Sequence, residues 1–275
     1  MGASVGQDLQ ESLERGRKLL RRAKRITVFT GAGVSAESGV PTFRDAGGFW
    51  TRFPPEEFAH WRGLGEKIQQ EPLRAAEFVG ELLRPVLAAK PNPAHDAIAR
   101  LEKQKQVVGV VTQNIDGLHQ RAGSTRVMEL HGSIFETATV DKSPREIHRV
   151  PLDDLTAAVR DLSALVASGK AESAQFWHAA RALFGKNSAG AYRPNLVLFG
   201  DTLPEDAWLG SVDAVTYCDL LLIVGTSGLV YPAASLPRLA QEKGAKVVSV
   251  GFDRCECDVW LRGAAGELLP QLIAS

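Results

Sequence analysis

The sequence has no excess of charge of either sign and no long hydrophobic run. Its 275 residues include 32 Lys or Arg and 32 Asp or Glu, so the formal net charge at pH 7 is zero. A chain without a global positive field has no general attraction for nucleic acid or an anionic membrane surface. No run approaches the roughly 20 apolar residues of a membrane span. We therefore expect a soluble protein with no nucleic-acid partner and no membrane partner.

Cysteine is also scarce: the chain has Cys218, Cys255 and Cys257. An odd number of thiols without a regular spacing argues against a disulfide framework and is typical of a reducing compartment. The chain opens without an apolar signal core, and three acidic residues precede the basic segment 15–25, which disfavours organelle targeting. A cytoplasmic location is the expectation.

Short β-branched runs recur along the chain. They are ITVFT (26–30), VVGVVT (107–112), NLVLF (195–199), LLLIVG (220–225) and KVVSV (246–250). Each is typical of a strand buried on both faces, and helix-length segments separate several of them. This alternation predicts an α/β fold with a doubly wound parallel sheet, whose ligands bind at the carboxyl ends of the strands.

Two segments interrupt the alternation. Residues 43–71 are rich in Gly, Pro and aromatic side chains, which predicts a functional loop with some helix. In residues 133–193, apolar side chains recur at helical spacing from 155 to 166 and from 176 to 184. We expect this second insertion to be a small, mainly helical subdomain.

A glycine pair, Gly31 and Gly33, follows the first strand and leads toward a predicted helix. Glycine there lets backbone N–H groups approach a phosphate. Ala36 replaces the third glycine of the usual G-x-G-x-x-G fingerprint, so a nucleotide cradle and a plain tight turn both remain open.

Polar residues also follow the second strand. Gln113, Asn114 and Asp116 are expected at the ligand-binding edge of the sheet, although Asn114 or Asp116 could instead cap the next helix. His119, within that helix, is expected to be structural or to lie at the surface rather than to be catalytic. His131, in MELHG, can take a proton near neutral pH if it reaches the cleft.

Two later strands end in glycine and polar residues, at Gly200-Asp201 and at Gly225-Thr226-Ser227. Such loops, lying side by side, expose backbone edges on which an extended peptide can add as a strand. The second loop could equally contact a phosphate.

Together these motifs resemble those of the sirtuins, the NAD-dependent protein-lysine deacylases. GAGVSAESGVPTFR, TQNIDGLH, ELHG, FGD and GTS occur in the family's order, and the similarity covers about residues 26–132 and 194–270. The resemblance implies a Rossmann-like NAD-binding domain of residues 20–42, 93–132 and 194–275, a cofactor loop with a helical insertion at 43–92, and a small subdomain at 133–193.

The resemblance also implies roles for individual residues. His131 would be the general base, with Gln113 and Asn114 holding the nicotinamide ribose beside it. NAD would be bound by Gly31, Ala32, Gly33, Ser35, Phe43, Arg44, Gln113, Asn114, Ile115, Asp116, Gly225, Thr226, Ser227, Asp253 and Ala265. An acyl-lysine protein or peptide would be bound by Val197, Phe199, Gly200, Asp201, Gly228, Leu229 and Val230.

The implied reaction begins when the acyl oxygen of a modified lysine attacks the ribose carbon as nicotinamide leaves. His131 then deprotonates a ribose hydroxyl, which attacks the resulting intermediate. Water finally releases free lysine and O-acyl-ADP-ribose.

The chain departs from the family pattern after the histidine. Most sirtuins carry two Cys-x-x-Cys pairs there, which form a tetrathiolate zinc site. Residues 131–217 contain no cysteine, and His148 and His178 are too few to replace four ligands. We expect no structural zinc and no other metal, with the apolar helices stabilising the subdomain instead.

The first motif is closest to the branch that removes acidic acyl groups such as succinyl. The Tyr-x-x-Arg pair that selects their carboxylate corresponds here to Val79 and Leu82, so that carboxylate would be buried without a partner. We expect acetyl or a longer neutral acyl group, although Arg84 keeps the alternative open. Three further positions depart from the family's commoner residues, which bears on the affinity for NAD. They are Asp201, the segment GFDR at 251–254, which an Asn commonly begins, and Ala265.

Two other functions remain open. An NAD glycohydrolase or ADP-ribosyltransferase would use the same pocket, because each reaction begins by breaking the nicotinamide bond. A binding module that senses NAD or ADP-ribose without turnover would use the same ligand.

Overall fold

The structure, a computed structural model, describes residues 2–42, 49–104, 107–140, 145–185 and 191–274. Its α-helices are α1 (Gly2–Arg22), α2 (Phe49–Arg52), α3 (Pro55–Phe58), α4 (Trp61–Gln70), α5 (Pro72–Ala88), α6 (Pro93–Gln104), α7 (Leu118–Ala122), α8 (Leu152–Ser168), α9 (Ser173–Ala179), α10 (Glu205–Tyr217), α11 (Leu236–Glu242) and α12 (Ala265–Ile273). Its strands are β1 (Ile26–Thr30), β2 (Val107–Thr112), β3 (Val127–Glu129), β4 (Gly132–Thr139), β5 (Ile147–Arg149), β6 (Tyr192–Leu196), β7 (Leu220–Val224), β8 (Lys246–Val250) and β9 (Val259–Leu261).

The larger sheet is parallel and has the strand order β3-β2-β1-β7-β8-β9. Side chains alternate between the two faces of each strand: Leu222 of β7 packs in the core with α1, α6 and α12, whereas Leu221 and Ile223 pack in the core beneath α10 and α11. The sheet is therefore covered on both faces. The predicted doubly wound α/β fold is confirmed.

The smaller sheet is antiparallel, with the order β5-β4-β6, and lies in the second insertion beside α8 and α9. The two helices were predicted from their apolar spacing, but the sheet was not. The run NLVLF was expected in the parallel sheet; instead β6 ends at Leu196 and forms an edge of the smaller sheet. Pro194 on β6 explains the edge position, because proline has no N–H to donate to a neighbouring strand.

A second core joins the two insertions. Phe49, Phe53, Phe58 and Phe78 contact one another with ring centroids 4.8 to 5.5 Å apart. The same buried cluster contains the apolar faces of α8 and α9, through Leu155, Leu162 and Phe176. Each fully buried side chain of this size contributes about 1.5–3 kcal/mol. This core stabilises the insertions without cysteine.

No helix in the described part of the chain combines the length and the apolar character needed to cross a membrane.

Candidate functional site

A cavity of about 630 Å³ opens beyond the carboxyl ends of β1, β2, β7 and β8. Its wall on the parallel sheet includes Gly31, Gln113 and Gly225, and its opposite wall includes Phe78 of α5 and Leu196 of β6. Ligands of open α/β sheets bind at this edge. The cavity is therefore the candidate site.

The glycine loop after β1 crosses the loop after β7 in direct backbone contact. The N–H of Gly33 donates to the carbonyl of Gly225 at 2.8 Å. A Cβ atom on Gly33 would lie 2.8 Å from Gly225 Cα, and one on Gly225, whose φ is +59°, would lie 2.3 Å from Val34 N. Only glycine fits this crossing.

The helix expected directly after Gly33 is not formed. Residues Ala32–Val34 and Ala36–Ser38 make two short 3-10 turns instead. The loop stays close to β7 through the bond from the Gly33 N–H to the Gly225 carbonyl.

A buried polar cluster lies behind the loop after β2. Asn114 Nδ2 donates to Ser35 Oγ at 3.0 Å, and Ser35 Oγ donates to Asp116 Oδ2 at 2.7 Å. Asp116 Oδ1 also accepts the N–H of Leu118, the first residue of α7, at 2.9 Å. Asp116 therefore belongs to the cluster and also accepts a hydrogen bond from a backbone N–H group at the start of α7. Burial raises the pKa of Asp116, and the bonds from Leu118, Ser35 and Asn114 oppose that rise.

His131 lines the cavity where the chain passes from one sheet to the other. Its Nδ1 lies 2.8 Å from the carbonyl oxygen of Gln113, and its own carbonyl accepts the N–H of Val197 at 3.0 Å. Burial lowers the pKa of His131, while the bond to Gln113 raises it. A ring held in this way is neutral near pH 7 and can accept a proton at Nε2.

Two buried histidines lie beside the cluster. His119 Nε2 is 2.9 Å from Thr30 Oγ1, and burial lowers the pKa of His119 to about 3, so this ring is buried and uncharged near pH 7. His95, whose ring centroid lies 5.0 Å from that of His119, was not predicted. Its Nε2 is 3.4 Å from Ser35 Oγ. No pattern near His95 in the sequence marks it as a neighbour of Ser35.

Most residues predicted for the site border the one cavity. They are Gly31, Ala32, Gly33, Gln113, Asn114, Ile115, His131, Val197, Phe199, Gly200, Asp201, Gly225, Thr226, Ser227, Val230, Asp253 and Ala265. Ser35 lies behind this wall, and Asp116 borders a small adjoining cavity of about 20 Å³. Two of the predicted residues that the structure describes, Gly228 and Leu229, do not border the cavity. Phe43 and Arg44 lie outside the described residues.

One end of the cavity is apolar. Its wall there includes Phe49, Trp50, Phe78 and Leu82, of which only Leu82 was considered from the sequence. Val79 is buried in the core between the insertions. The Arg84 guanidinium donates to Glu81 Oε1 and to Ser163 Oγ, both at 3.1 Å, and is not part of the cavity wall as described. No cation lies at this apolar end among the described residues.

The described residues contain no group of three or more His, Cys, Asp or Glu side chains that could hold a metal ion. His148, one of the two histidines of the small subdomain, has its Nε2 3.3 Å from the Tyr192 hydroxyl.

Comparisons with known proteins agree on one family. Residues 31–232 match the profile of the Sir2 family. The NAD-dependent protein deacylase 2 of Pyrobaculum aerophilum is 40% identical over 259 residues, which cover 93% of this chain and 92% of the relative.

Two solved structures extend this similarity to the fold. Sir2Af2 bound to a myristoylated histone peptide is 32% identical, with a TM-score of 0.67, and the match covers 96% of this chain and 95% of that one. A complex of a Sir2 homologue with NAD is 29% identical, with a TM-score of 0.70, and the match covers 94% of this chain and 92% of that one.

Proposed function

The chain belongs to the Sir2 family, and from this premise we propose that it is an NAD-dependent protein deacylase that removes acetyl or longer neutral acyl groups from lysine. Its products are nicotinamide, O-acyl-ADP-ribose and the free lysine of a protein or peptide. The observation that carries the proposal is the bond between His131 Nδ1 and the Gln113 carbonyl, because it leaves a neutral imidazole with a free Nε2 at the cavity wall.

The residues of the cavity fit NAD. The crossing of Gly33 and Gly225 leaves no room for side chains, so their backbone can approach a pyrophosphate closely. Thr226 and Ser227 extend this surface, and Asp253 and Ala265 border the same cavity for the adenosine end. NAD supplies the electrophilic ribose carbon of the reaction.

The side chains at the other strand ends would orient the nicotinamide ribose and deprotonate one of its hydroxyl groups. Gln113 Nε2 donates to Thr226 Oγ1 at 2.9 Å, which fixes the amide beside the cavity. Asn114 is held by Ser35 and borders the cavity, where it would bind the nicotinamide ribose with Gln113. Ile115, which also borders the cavity, would lie beside the nicotinamide carboxamide with Asp116. His131 Nε2 takes the proton of a ribose hydroxyl, and holding a base in place contributes typically 10²–10⁴-fold to a rate.

The preference for a neutral acyl group rests on the apolar end of the cavity. Phe49, Trp50, Phe78 and Leu82 provide no charge there, whereas a succinyl carboxylate would need a cation or several donors. That Sir2Af2 binds a myristoylated peptide supports room for a longer chain in the family.

The remaining features of the proposal concern the whole chain. We propose that it acts in the cytoplasm, that it has no nucleic-acid partner, and that its small subdomain at 133–193 folds without zinc. The equal numbers of acidic and basic residues support the second point. The cysteine-free stretch 131–217 and the aromatic core beneath it support the third.

The test is to incubate the protein with NAD and synthetic peptides that carry one acetyl-, myristoyl- or succinyl-lysine. We expect O-acyl-ADP-ribose from the first two and little from the third, measured by mass spectrometry. His131→Ala should lose at least about 100-fold in rate, whereas the control His148→Ala should not. Nicotinamide release at equal rates without peptide would favour a glycohydrolase, and tight NAD binding without any product would favour a sensor.

A further inference from the structure

The carboxylate of Asp201 borders the cavity and is held by three other residues. Its Oδ2 accepts from Trp61 Nε1 at 2.7 Å and from the N–H of Leu198 at 3.2 Å. The Arg193 guanidinium forks across the carboxylate, 3.2 Å from Oδ2 and 3.3 Å from Oδ1. Three of these contacts are to Oδ2 and one is to Oδ1, so the two oxygens are held by three different residues.

The three side chains also contact one another away from bulk water. The Arg193 guanidinium lies over the Trp61 ring, 4.7 Å from its centroid. The side chains of Arg193 and Asp201 are only 14% and 17% exposed. Bidentate contact between a guanidinium and a carboxylate is strong and directional in such surroundings.

This cluster ties three parts of the chain together. Trp61 is the first residue of α4, Arg193 lies on β6 of the small subdomain, and Asp201 ends the segment 197–201 that borders the cavity. A second contact supports the tie, because the N–H of Phe199 donates to the Ala59 carbonyl at 2.8 Å. The segment is therefore fixed from both insertions.

We infer that Trp61 and Arg193 are positioning residues for the peptide substrate. Asp201 contributes by accepting their hydrogen bonds rather than by contacting the peptide. The segment 197–201 presents its backbone to the peptide only while the cluster holds it. A looser segment would bind peptide more weakly, because ordering it would cost free energy at each binding event. NAD, which the proposed function places against the loops after β1, β2 and β7, would be unaffected. This inference rests on the proposed deacylase activity.

The test compares variants that each remove one contact. Trp61→Phe keeps a ring beneath Arg193 but removes the N–H donor, and Arg193→Lys keeps the cation but removes the fork. Trp177→Phe on α9 is the matched control for the first, and Arg160→Lys on α8 for the second. The measurements are KM for an acetyl-lysine peptide, kcat, the Kd for NAD and the thermal unfolding midpoint.

Trp61→Phe and Arg193→Lys should each raise the peptide KM about tenfold, the effect expected for one lost charge-assisted hydrogen bond. Their kcat and their Kd for NAD should stay within about twofold of wild type, and both controls should leave the peptide KM unchanged. Adding Asp201→Asn to Trp61→Phe should raise KM little further, because residues of one cluster act non-additively.

Three results would overturn the inference. An unchanged peptide KM in Trp61→Phe and Arg193→Lys, with a lowered unfolding midpoint, would leave these residues a packing role only. A raised KM in Asp201→Asn together with an unchanged KM in Trp61→Phe and Arg193→Lys would mean that Asp201 contacts the peptide directly. Wild-type protein that turned over no acyl-peptide would overturn the proposed function together with the inference, whereas active wild type with unchanged variants would overturn the inference alone.

Discussion

His131 Nδ1 lies 2.8 Å from the backbone carbonyl oxygen of Gln113. A carbonyl oxygen can only accept, so the hydrogen of the neutral ring is on Nδ1 and the lone pair is on Nε2. The partner is a backbone atom that directly follows a buried strand, so no rotation of the Gln113 side chain can remove it. The tautomer of the proposed base is thus set by the parallel sheet.

The first prediction concerns pH. Burial lowers the pKa of His131 below its ordinary value of 6.5, and a general base works only while it is neutral. We therefore expect the acidic limb of the kcat profile on an acetyl-lysine peptide to be centred below pH 6.5. A pH profile of kcat measures this. An acidic limb centred above pH 6.5 would contradict the assignment of His131 as the base.

The second prediction concerns the crossing of the two glycine loops. Gly225→Ala should weaken NAD binding at least about tenfold, because the new Cβ would lie 2.3 Å from Val34 N and would force φ away from +59°. Calorimetry with NAD measures the affinity. Gly244→Ala is the control: its φ is also positive, at +90°, but its Cβ would meet no described atom within 4 Å. Equal NAD affinities in both variants would refute the close-contact argument.

The third prediction concerns acyl preference. Leu82→Arg places a cation in the apolar wall of the cavity, so turnover of a succinyl-lysine peptide should rise and turnover of a myristoyl-lysine peptide should fall, each by about tenfold. Arg84→Leu, on the same helix but outside the described cavity wall, should change neither rate. If Arg84→Leu altered the succinyl rate, Arg84 would have to reach the acyl group after all.

The fourth prediction concerns a buried carboxyl. Burial raises the pKa of Glu129 to about 7, and its Oε1 has no hydrogen-bond partner in the described part of the chain. A folded-state pKa above the unfolded value of 4.5 means that stability is fully present below pH 4.5 and is lost as the pH rises through 7.

Glu129→Gln removes this loss, since the amide stays uncharged. Relative to wild type, the variant should gain about 3 kcal/mol in unfolding free energy between pH 4.5 and pH 8. Urea unfolding at the two pH values measures it, with the exposed Glu56→Gln as control. A difference between Glu129→Gln and wild type that did not change with pH would show that Glu129 ionises normally.

The fifth prediction concerns metal removal. Treatment with EDTA and o-phenanthroline should leave the thermal unfolding midpoint unchanged, because the small subdomain is stabilised by the core that contains Phe58, Phe78, Leu155 and Phe176. Elemental analysis of the untreated protein should find no stoichiometric zinc. A fall in the midpoint on chelation would mean that ligands other than cysteine hold a structural metal.

The sequence predicts the elements whose signal is local. β1, β2, β7 and β8 are apolar runs buried on both faces, and α8 and α9 show helical spacing, so each could be identified without knowing its neighbours. β4 and β5 were not predicted, because they carry Thr, Glu, His and Arg and show no apolar run. Their stability comes from pairing with neighbouring strands.

The same limit applies to the site. The strand-end residues Gly33, Gln113 and His131 could be predicted, because the fold fixes where strand ends meet. The contact of Trp61 with Asp201 joins residues 140 positions apart, and nothing local to either indicates the other. The contact of His95 with Ser35 was not predicted for the same reason, since the two residues are 60 positions apart.

His131 occupies a junction with consequences for engineering. On one side, the N–H of Leu130 donates to the Thr112 carbonyl at 2.9 Å; on the other, Gly132 begins β4 opposite Leu196. The imidazole is anchored to the first side, through Gln113. A foreign module grafted after Gly132 would therefore inherit a base already set in its working tautomer, provided that the module supplied a strand equivalent to β6 to receive it.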